Sequence, residues 1–168
     1  MRTRVAIGLG SNVGRRLARI EAARCDLAAL LEDVRCSAVY ESEPMYREAQ
    51  PPFLNACCVG RTSLGARPLL EALQALERRA GRRRGGPRFG PRTLDLDLLL
   101  CGDLVIEEPD LRVPHPAMSE RPFVLWPLAE IAGDWIHPVT GLTIERMAAA
   151  LPRGKLRRHA ASRERSRQ

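Results

Sequence analysis

Leu94-Asp95-Leu96-Asp97-Leu98-Leu99-Leu100-Cys101 is an apolar run broken twice by aspartate and closed by the turn residues Gly102 and Asp103. A compact run of this length reads as a strand. Side chains two apart on a strand share a face, so both carboxylates project the same way, about 7 Å apart at the backbone. Aspartate is a poor strand former, and two within one apolar strand ask for a reason. One reason is metal binding. Two like charges so placed repel and raise each other's pKa unless a cation lies between them, and two Mg²⁺ ions about 3.5 to 4 Å apart would be bridged well by such a pair. The other reason is an exposed face of an edge strand, and the D-x-D pattern alone weighs equally for both.

Upstream of this strand the chain alternates between the two regular periods. Val5 to Leu9 is a short apolar run ended by Gly10, Ser11 and Asn12, which suits a first strand entering a turn. After Gly14, Leu17, Ile20, Ala23, Leu27, Leu30 and Leu31 recur at helical steps. Val34, Cys36, Ala38 and Tyr40 then alternate with Arg35 and Ser37, as a strand with one face on a core does. Glu41 to Pro52 reads as a loop, and Phe53 to Arg61 as a third strand. Pro68 stands near the start of a helix with a buried stripe of Leu69, Leu70, Leu73, Leu76 and Ala80, stopped by Gly81.

With the aspartate strand fourth, the order βαββαβ is that of a ferredoxin-like α+β sandwich. Additions follow it: a short Leu104 to Ile106 segment, a proline-punctuated region, a short helix near Arg121 to Leu128 and a last helix near Thr143 to Leu151. The reading is one domain over residues 1–152, consistent with 168 residues closing a single core, and a basic, disordered tail over 153–168.

Composition narrows the function classes. No segment approaches the roughly 20 apolar residues that span a bilayer, and no basic start joins a long apolar run. A cytoplasmic protein, neither exported nor membrane-embedded, is expected. The five cysteines (Cys25, Cys36, Cys57, Cys58, Cys101) are odd in number and lack C-x-x-C spacing, so they read as small core residues in a reducing compartment, without disulfide or zinc. Of the net charge of +7, the tail from Arg153 accounts for nearly all: it has seven Lys and Arg residues against Glu164 alone, leaving 20 basic and 19 acidic residues for the rest. A solvated tail is the plainer reading of that charge, and an RNA-seeking role the lesser one. Lys155 is the only lysine. The body therefore has no Walker A or Schiff-base lysine, and any phosphate must be held by arginine, backbone amides and metal.

Arginine is placed to do so. Arg78, Arg79, Arg82, Arg83, Arg84, Arg88 and Arg92 occur with no acid between Glu77 and Asp95, and Gly81, Gly85, Gly86 and Gly90 punctuate the stretch. By itself this is a solvated basic turn in an arginine-biased chain. Joined to the aspartates, it is an anion-binding loop above a dicarboxylate metal site, since guanidinium forks match phosphate oxygens bidentately. That combination is what metal-assisted phosphoryl transfer from ATP to a small molecule requires.

The run Arg88-Phe89-Gly90-Pro91-Arg92-Thr93-Leu94-Asp95-Leu96-Asp97 resembles the signature of the 6-hydroxymethyl-7,8-dihydropterin pyrophosphokinases. Gly10-Ser11-Asn12, Phe53-Leu54-Asn55-Ala56 and Val113-Pro114-His115-Pro116 with Arg121-Pro122-Phe123-Val124-Leu125 agree in order and spacing, so the similarity runs from about Val5 to Leu151. The resemblance implies Mg²⁺-dependent transfer of pyrophosphate from ATP to the pterin's hydroxymethyl group, releasing AMP, in folate biosynthesis. It implies that Asp95 and Asp97 bind two Mg²⁺ ions and that Arg82 and Arg92 act catalytically on the phosphates. Gln74, Glu77, Arg84, Arg92, Leu98, His115 and Arg121 would bind ATP. For the pterin it implies Phe53 and Phe123 as stacking rings, Asn55 on the polar edge, and Ser42, Pro44 and Met45 along the wall. A flat heterocycle gains from such stacking and needs paired donors and acceptors at its edge. Core packing is the plain alternative for the two phenylalanines, and a bare helix surface for Gln74 and Glu77. The chain departs from many members at Phe89, where they carry Trp, and at Phe53, where Tyr is also found.

Two other classes fit parts of the pattern. An RNA-recognition module would need several aromatics on central strands, and only Tyr40 and Phe53 qualify. A palm-type nucleotidyl transferase also places paired aspartates on such a sheet. The expectation is a monomer acting on ATP and a pterin, with no nucleic-acid or membrane partner.

Overall fold

In the computed structural model, which describes residues 2–42, 51–81 and 93–159, the chain runs β1 (Thr3–Ser11), α1 (Arg16–Leu30), β2 (Glu32–Cys36), β3 (Tyr40–Ser42), β4 (Phe53–Thr62), α2 (Ala66–Arg79) and β5 (Asp95–Cys101). It continues through β6 (Ile106–Glu108), β7 (Leu111–Val113), a 3₁₀ turn at Met118–Glu120, α3 (Pro122–Ala132), α4 (Ile144–Ala149) and β8 (Arg157–Arg158). The main sheet has the order β5-β1-β4-β3-β8, with β2 also paired to β4, and every pairing is antiparallel. β6 and β7 form a separate pair. No helix among the described residues is long and apolar enough to cross a membrane.

Both faces of the sheet are covered, which explains why β1 reads as a continuous apolar run and not an alternating one. Val5, Ile7 and Leu9 join Leu54, Ala56, Leu96 and Leu98 beneath the stripes of α1 (Ile20, Ala23, Leu27) and α2 (Leu69, Leu73, Leu76). Ala6, Cys57, Val59, Leu99 and Leu100 point the other way, into a second core with Val124, Leu125 and Leu128 of α3 and Ile144 and Met147 of α4. α2 ends where Gly81 takes a φ of +92°, a left-handed position that a residue with a Cβ resists. Thr143 accepts the Arg146 N–H at 3.3 Å and so caps α4.

Four expectations change. The single strand expected over Val34 to Tyr40 is two, β2 and β3, because residues around Ser37 leave the ladder. There the Ser37 hydroxyl accepts the Cys57 N–H at 2.9 Å and donates to the Ala38 carbonyl at 2.8 Å. Of the short Leu104 to Ile106 segment only Ile106 belongs to a strand, β6, and Leu104 and Val105 are exposed. Cys36 and Cys58 form a disulfide, not two unpaired thiols; they face each other across β2 and β4 with Cα atoms 4.1 Å apart. Cys25 is exposed and not a core residue, whereas Cys57 and Cys101 are buried. Finally, the basic segment does not leave the fold at Arg153. Leu156 is buried, β8 adds to the edge of β3, and His159 N–H donates to the Val39 carbonyl at 2.8 Å. Arg158 pairs with Glu130 of α3, whose carboxylate also accepts the Tyr40 hydroxyl at 3.0 Å and the Ala38 N–H at 2.6 Å.

The corner between α3 and α4 is organised by a buried imidazole. His137 Nδ1 accepts the Val139 and Thr140 N–H groups, each at 3.2 Å, and burial pushes its pKa below the ordinary histidine value. Because the folded state holds this ring neutral, its stabilisation is complete above the unfolded pKa of about 6.5 and is lost as pH falls below it. Urea midpoints should therefore fall between about pH 7 and pH 5. His137→Asn, which keeps an acceptor near the Nδ1 position but does not titrate, should flatten that fall; an unchanged pH profile would remove this role from His137.

Candidate active site

Register, more than sequence proximity, assembles the site. Gly10 of β1 lies opposite Asp95 on one side and Asn55 on the other, and Gly8 lies opposite Asp97 and Cys57. The two-residue alternation of strands therefore sets Asp95 and Asp97 on the same sheet face as Phe53 and Asn55. Asp95 and Asp97 are partly exposed, while Leu96 and Leu98 between and beyond them are buried on the opposite face. Towards Ser11 the strand between the carboxylates and Asn55 presents only two glycines. A Cβ at Gly10 would stand 3.5 Å from Asn55 Oδ1 and 3.7 Å from the Phe53 ring, filling the floor of the trough between β4 and β5. Farther along the same face α3 and α4 cover the sheet, and Leu99 already fills the space over Gly8, 3.5 Å from where a Cβ would stand, so the trough lies at the Gly10 end.

On the β4 side, Asn55 is buried and its Nδ2 donates to Ser42 Oγ at 2.7 Å, an orientation that fixes the amide against β3. Phe53 opens β4, and Phe123 stands at the second residue of α3 with the Arg121 guanidinium 5.7 Å from its ring centre. Both rings are partly exposed, so neither is spent wholly on core packing.

On the β5 side, His115 follows the cis Val113–Pro114 peptide and is anchored by its N–H to the Leu99 carbonyl at 2.9 Å. Its Nε2 lies 3.9 Å from Asp97 Oδ1. Burial pushes the His115 pKa down to about 4, with the Arg121 charge acting in the same direction and Asp95 opposing it. The ring is neutral at neutral pH. Its Nδ1 accepts the Ala117 N–H at 3.2 Å, which leaves the proton on Nε2, the nitrogen nearer Asp97. Cys57 lies in the neighbouring row, but burial raises its thiol pKa, and the Asp97 and Glu130 charges add to that; it is an inert thiol.

Glu77 has a different place from that expected of a residue on a helix surface. It is 5% exposed, and its Oε2 accepts the Leu96 N–H at 3.0 Å. β5 is the edge of the sheet, so this amide, between the two aspartates, has no strand to donate to and α2 supplies a carboxylate instead. Gln74, one turn earlier, is half-buried. Leu98 sends its side chain into the α1 and α2 core, away from the aspartates. Arg82, Arg84, Arg92, Pro44, Met45 and Phe89 lie outside the described residues. Of the expected residues, then, Asp95, Asp97, His115 and Arg121 converge on one side of the trough, and Ser42, Asn55 and Phe53 line the other. Gly8 was not singled out from the sequence; glycine inside a strand is the signal that marks a close approach, here of the buried Leu99 side chain, 3.5 Å from where a Cβ would stand.

The 7,8-dihydro-6-hydroxymethylpterin-pyrophosphokinase (HPPK) family model matches residues 6–133. A 2-amino-4-hydroxy-6-hydroxymethyldihydropteridine pyrophosphokinase from Synechocystis is 46% identical over 82% of this chain and 71% of its own length. The protein of that name from Pseudomonas aeruginosa is 42% identical over 89% of this chain and 92% of its own. The Plasmodium falciparum HPPK-DHPS crystal structure with pteroate superposes with a TM-score of 0.70 at 14% identity. It covers 89% of this chain, which spans 42% of that longer one, and it speaks for the fold alone. With the family model matching most of the sequence, and with two relatives above 40% identity over most of its length, the chain belongs to the 7,8-dihydro-6-hydroxymethylpterin-pyrophosphokinase family.

Proposed function

We propose that this chain transfers pyrophosphate from ATP to the hydroxymethyl group of 6-hydroxymethyl-7,8-dihydropterin in an Mg²⁺-dependent reaction that releases AMP. Membership of a pyrophosphokinase family makes it a transferase. The observation that carries the finer reading is the shared trough: two carboxylates and a buried, oriented amide on one sheet face, separated by a strand with no side chain there. Donor and acceptor can then lie side by side. The strand order, which sets the last strand of the βαββαβ core beside the first, supports a ferredoxin-like assignment. A cytoplasmic monomer without nucleic-acid or membrane partners completes the reading.

The donor set suits Mg²⁺, which is held by one or two carboxylates together with substrate phosphates more often than by an all-protein cage. Asp95 and Asp97 are such a pair, and among the described residues no three His, Cys, Asp or Glu side chains converge into a closed metal site. When bound, Mg²⁺ would neutralise phosphate charge and favour ionisation of the attacking alcohol. Arg82, Arg84 and Arg92 would hold the phosphates. Gln74, His115 and Arg121 would contact the nucleotide, and Leu98, whose side chain is in the core, would do so through its backbone. Neutral His115 can donate from Nε2 to a phosphate oxygen without adding charge. Phe53 and Phe123 would stack the pterin, with Asn55 on its polar edge and Ser42, Pro44 and Met45 along the wall. The residues then act by holding the hydroxymethyl oxygen in line with the β-phosphorus and by excluding water.

Asp97→Asn should lower kcat/KM by about three orders of magnitude, the effect of losing several kcal/mol of charge stabilisation, while leaving the circular dichroism spectrum unchanged. Near-normal turnover at saturating Mg²⁺ would refute the metal role. Mass spectrometry of the wild-type products should find AMP with pyrophosphorylated pterin; release of free pyrophosphate would favour a nucleotidyl transferase instead.

Glu77 separates two roles. If its main task is to hold the Leu96 amide, Glu77→Leu should cost about 1–3 kcal/mol of stability and Glu77→Gln, which keeps an acceptor, much less. A raised KM for ATP in both variants with no loss of stability would make it a nucleotide contact.

A further inference from the structure

Ser11 and Asn12 are fully buried polar residues at the point where β1 leaves the sheet, 0% and 1% exposed. Each reaches a different neighbour. Ser11 Oγ donates to the Thr93 carbonyl at 2.6 Å, two residues before Asp95. Asn12 Nδ2 donates to the Pro51 carbonyl at 3.3 Å, and Arg16 Nη1, one turn into the following segment, donates to the Pro52 carbonyl at 2.7 Å. Pro52 directly precedes Phe53.

These bonds continue the sheet where its ladder stops. β1 pairs with β5 only as far as Gly10 and Asp95, and with β4 as far as Ser11 and Leu54. Beyond those points Pro51 and Pro52 offer carbonyl acceptors but no N–H donors, so only half of a two-way ladder could continue there. Side chains from a single junction take over on both sides. They hold the entry to the strand that carries the carboxylates and the entry to the strand that carries Phe53 and Asn55.

We propose that Ser11 and Asn12, assisted by Arg16, are positioning residues that set the β5 half of the trough against the β4 half, and so fix the distance between the two bound substrates. The inference rests on the function proposed above, in which those halves take the nucleotide and the pterin. In-line transfer is sensitive to such placement, since a misplacement of about 1 Å originating away from the chemistry can cost about 100-fold in rate. Each half-site is itself intact when the junction is cut, so binding of either substrate alone should be little affected.

Steady-state kinetics on the full chain test this. Ser11→Ala should lower kcat about 10- to 100-fold while each KM stays within about threefold, and Ser11→Thr, which restores the hydroxyl, should recover most of kcat. Arg16→Ala removes only the outer, partly exposed contact; it should lower kcat by up to about 10-fold, and it decides the matter if Ser11→Ala does not fold. The proposal is overturned if Ser11→Ala or, failing that, Arg16→Ala keeps wild-type kcat and only melts at lower temperature. It is equally overturned if Ser11→Thr fails to restore kcat. A wild-type protein that does not modify the pterin at all would sink the functional reading itself, whereas an active wild type with indifferent variants sinks this inference alone.

Discussion

β1 is hydrogen bonded along nearly its whole length to β4 on one side and β5 on the other, and the rest of the molecule depends on that double register. Val5, Ile7 and Leu9 carry large apolar side chains into the α1 and α2 core, and the residues that alternate with them towards Ser11 are Ala6, Gly8 and Gly10. The second face therefore starts beneath α3 and α4 and opens into a trough as the side chains shrink to nothing. A slip of one residue would exchange the faces, burying Asp95 and Asp97 under α1 and α2 and driving Leu96 and Leu98 into the trough. The apolar pattern that stabilises the core is thus the same feature that keeps the carboxylates accessible.

Among the described residues, charge around this trough is managed with few groups. Glu77 satisfies an amide on the edge strand and at the same time places a buried carboxyl group behind the aspartate pair. Removing an acceptor from a buried amide is costly, which ties α2 to β5 at the site itself. His115 works in the opposite sense: burial and Arg121 keep it uncharged, so it is a polar hydrogen-bonding group next to Asp97 and not a competing cation.

The far edge of the sheet is closed by the last strand. Glu130 gathers the Ala38 amide, the Tyr40 hydroxyl and the Arg158 guanidinium, linking α3, β3 and β8 beside Ser42 and Asn55. An edge strand is thereby covered, which limits pairing with other chains. Counting Lys and Arg along the sequence puts Arg157 and Arg158 in a solvated tail; in the fold, one of them has a carboxylate 28 residues earlier to bind.

Local periodicity made much of this legible. That Asp95 and Asp97 share a face, that Leu69, Leu73 and Leu76 form one stripe, and that Gly81 stops a helix are properties of neighbouring residues on a strand or helix, so consecutive sequence determines them. The motif residues then pointed to a pyrophosphokinase before any contact was known. Contacts between distant segments were not legible. Cys36 meets Cys58, Glu77 meets the Leu96 amide, and Asn55 faces Asp95 across Gly10 through strand register and helix placement, which packing of the whole core decides. The sequence by itself determined which residues could do chemistry and which way each strand would turn them; only the tertiary structure brought them to a common face, because hydrogen-bond register between strands tens of residues apart is written in no local period.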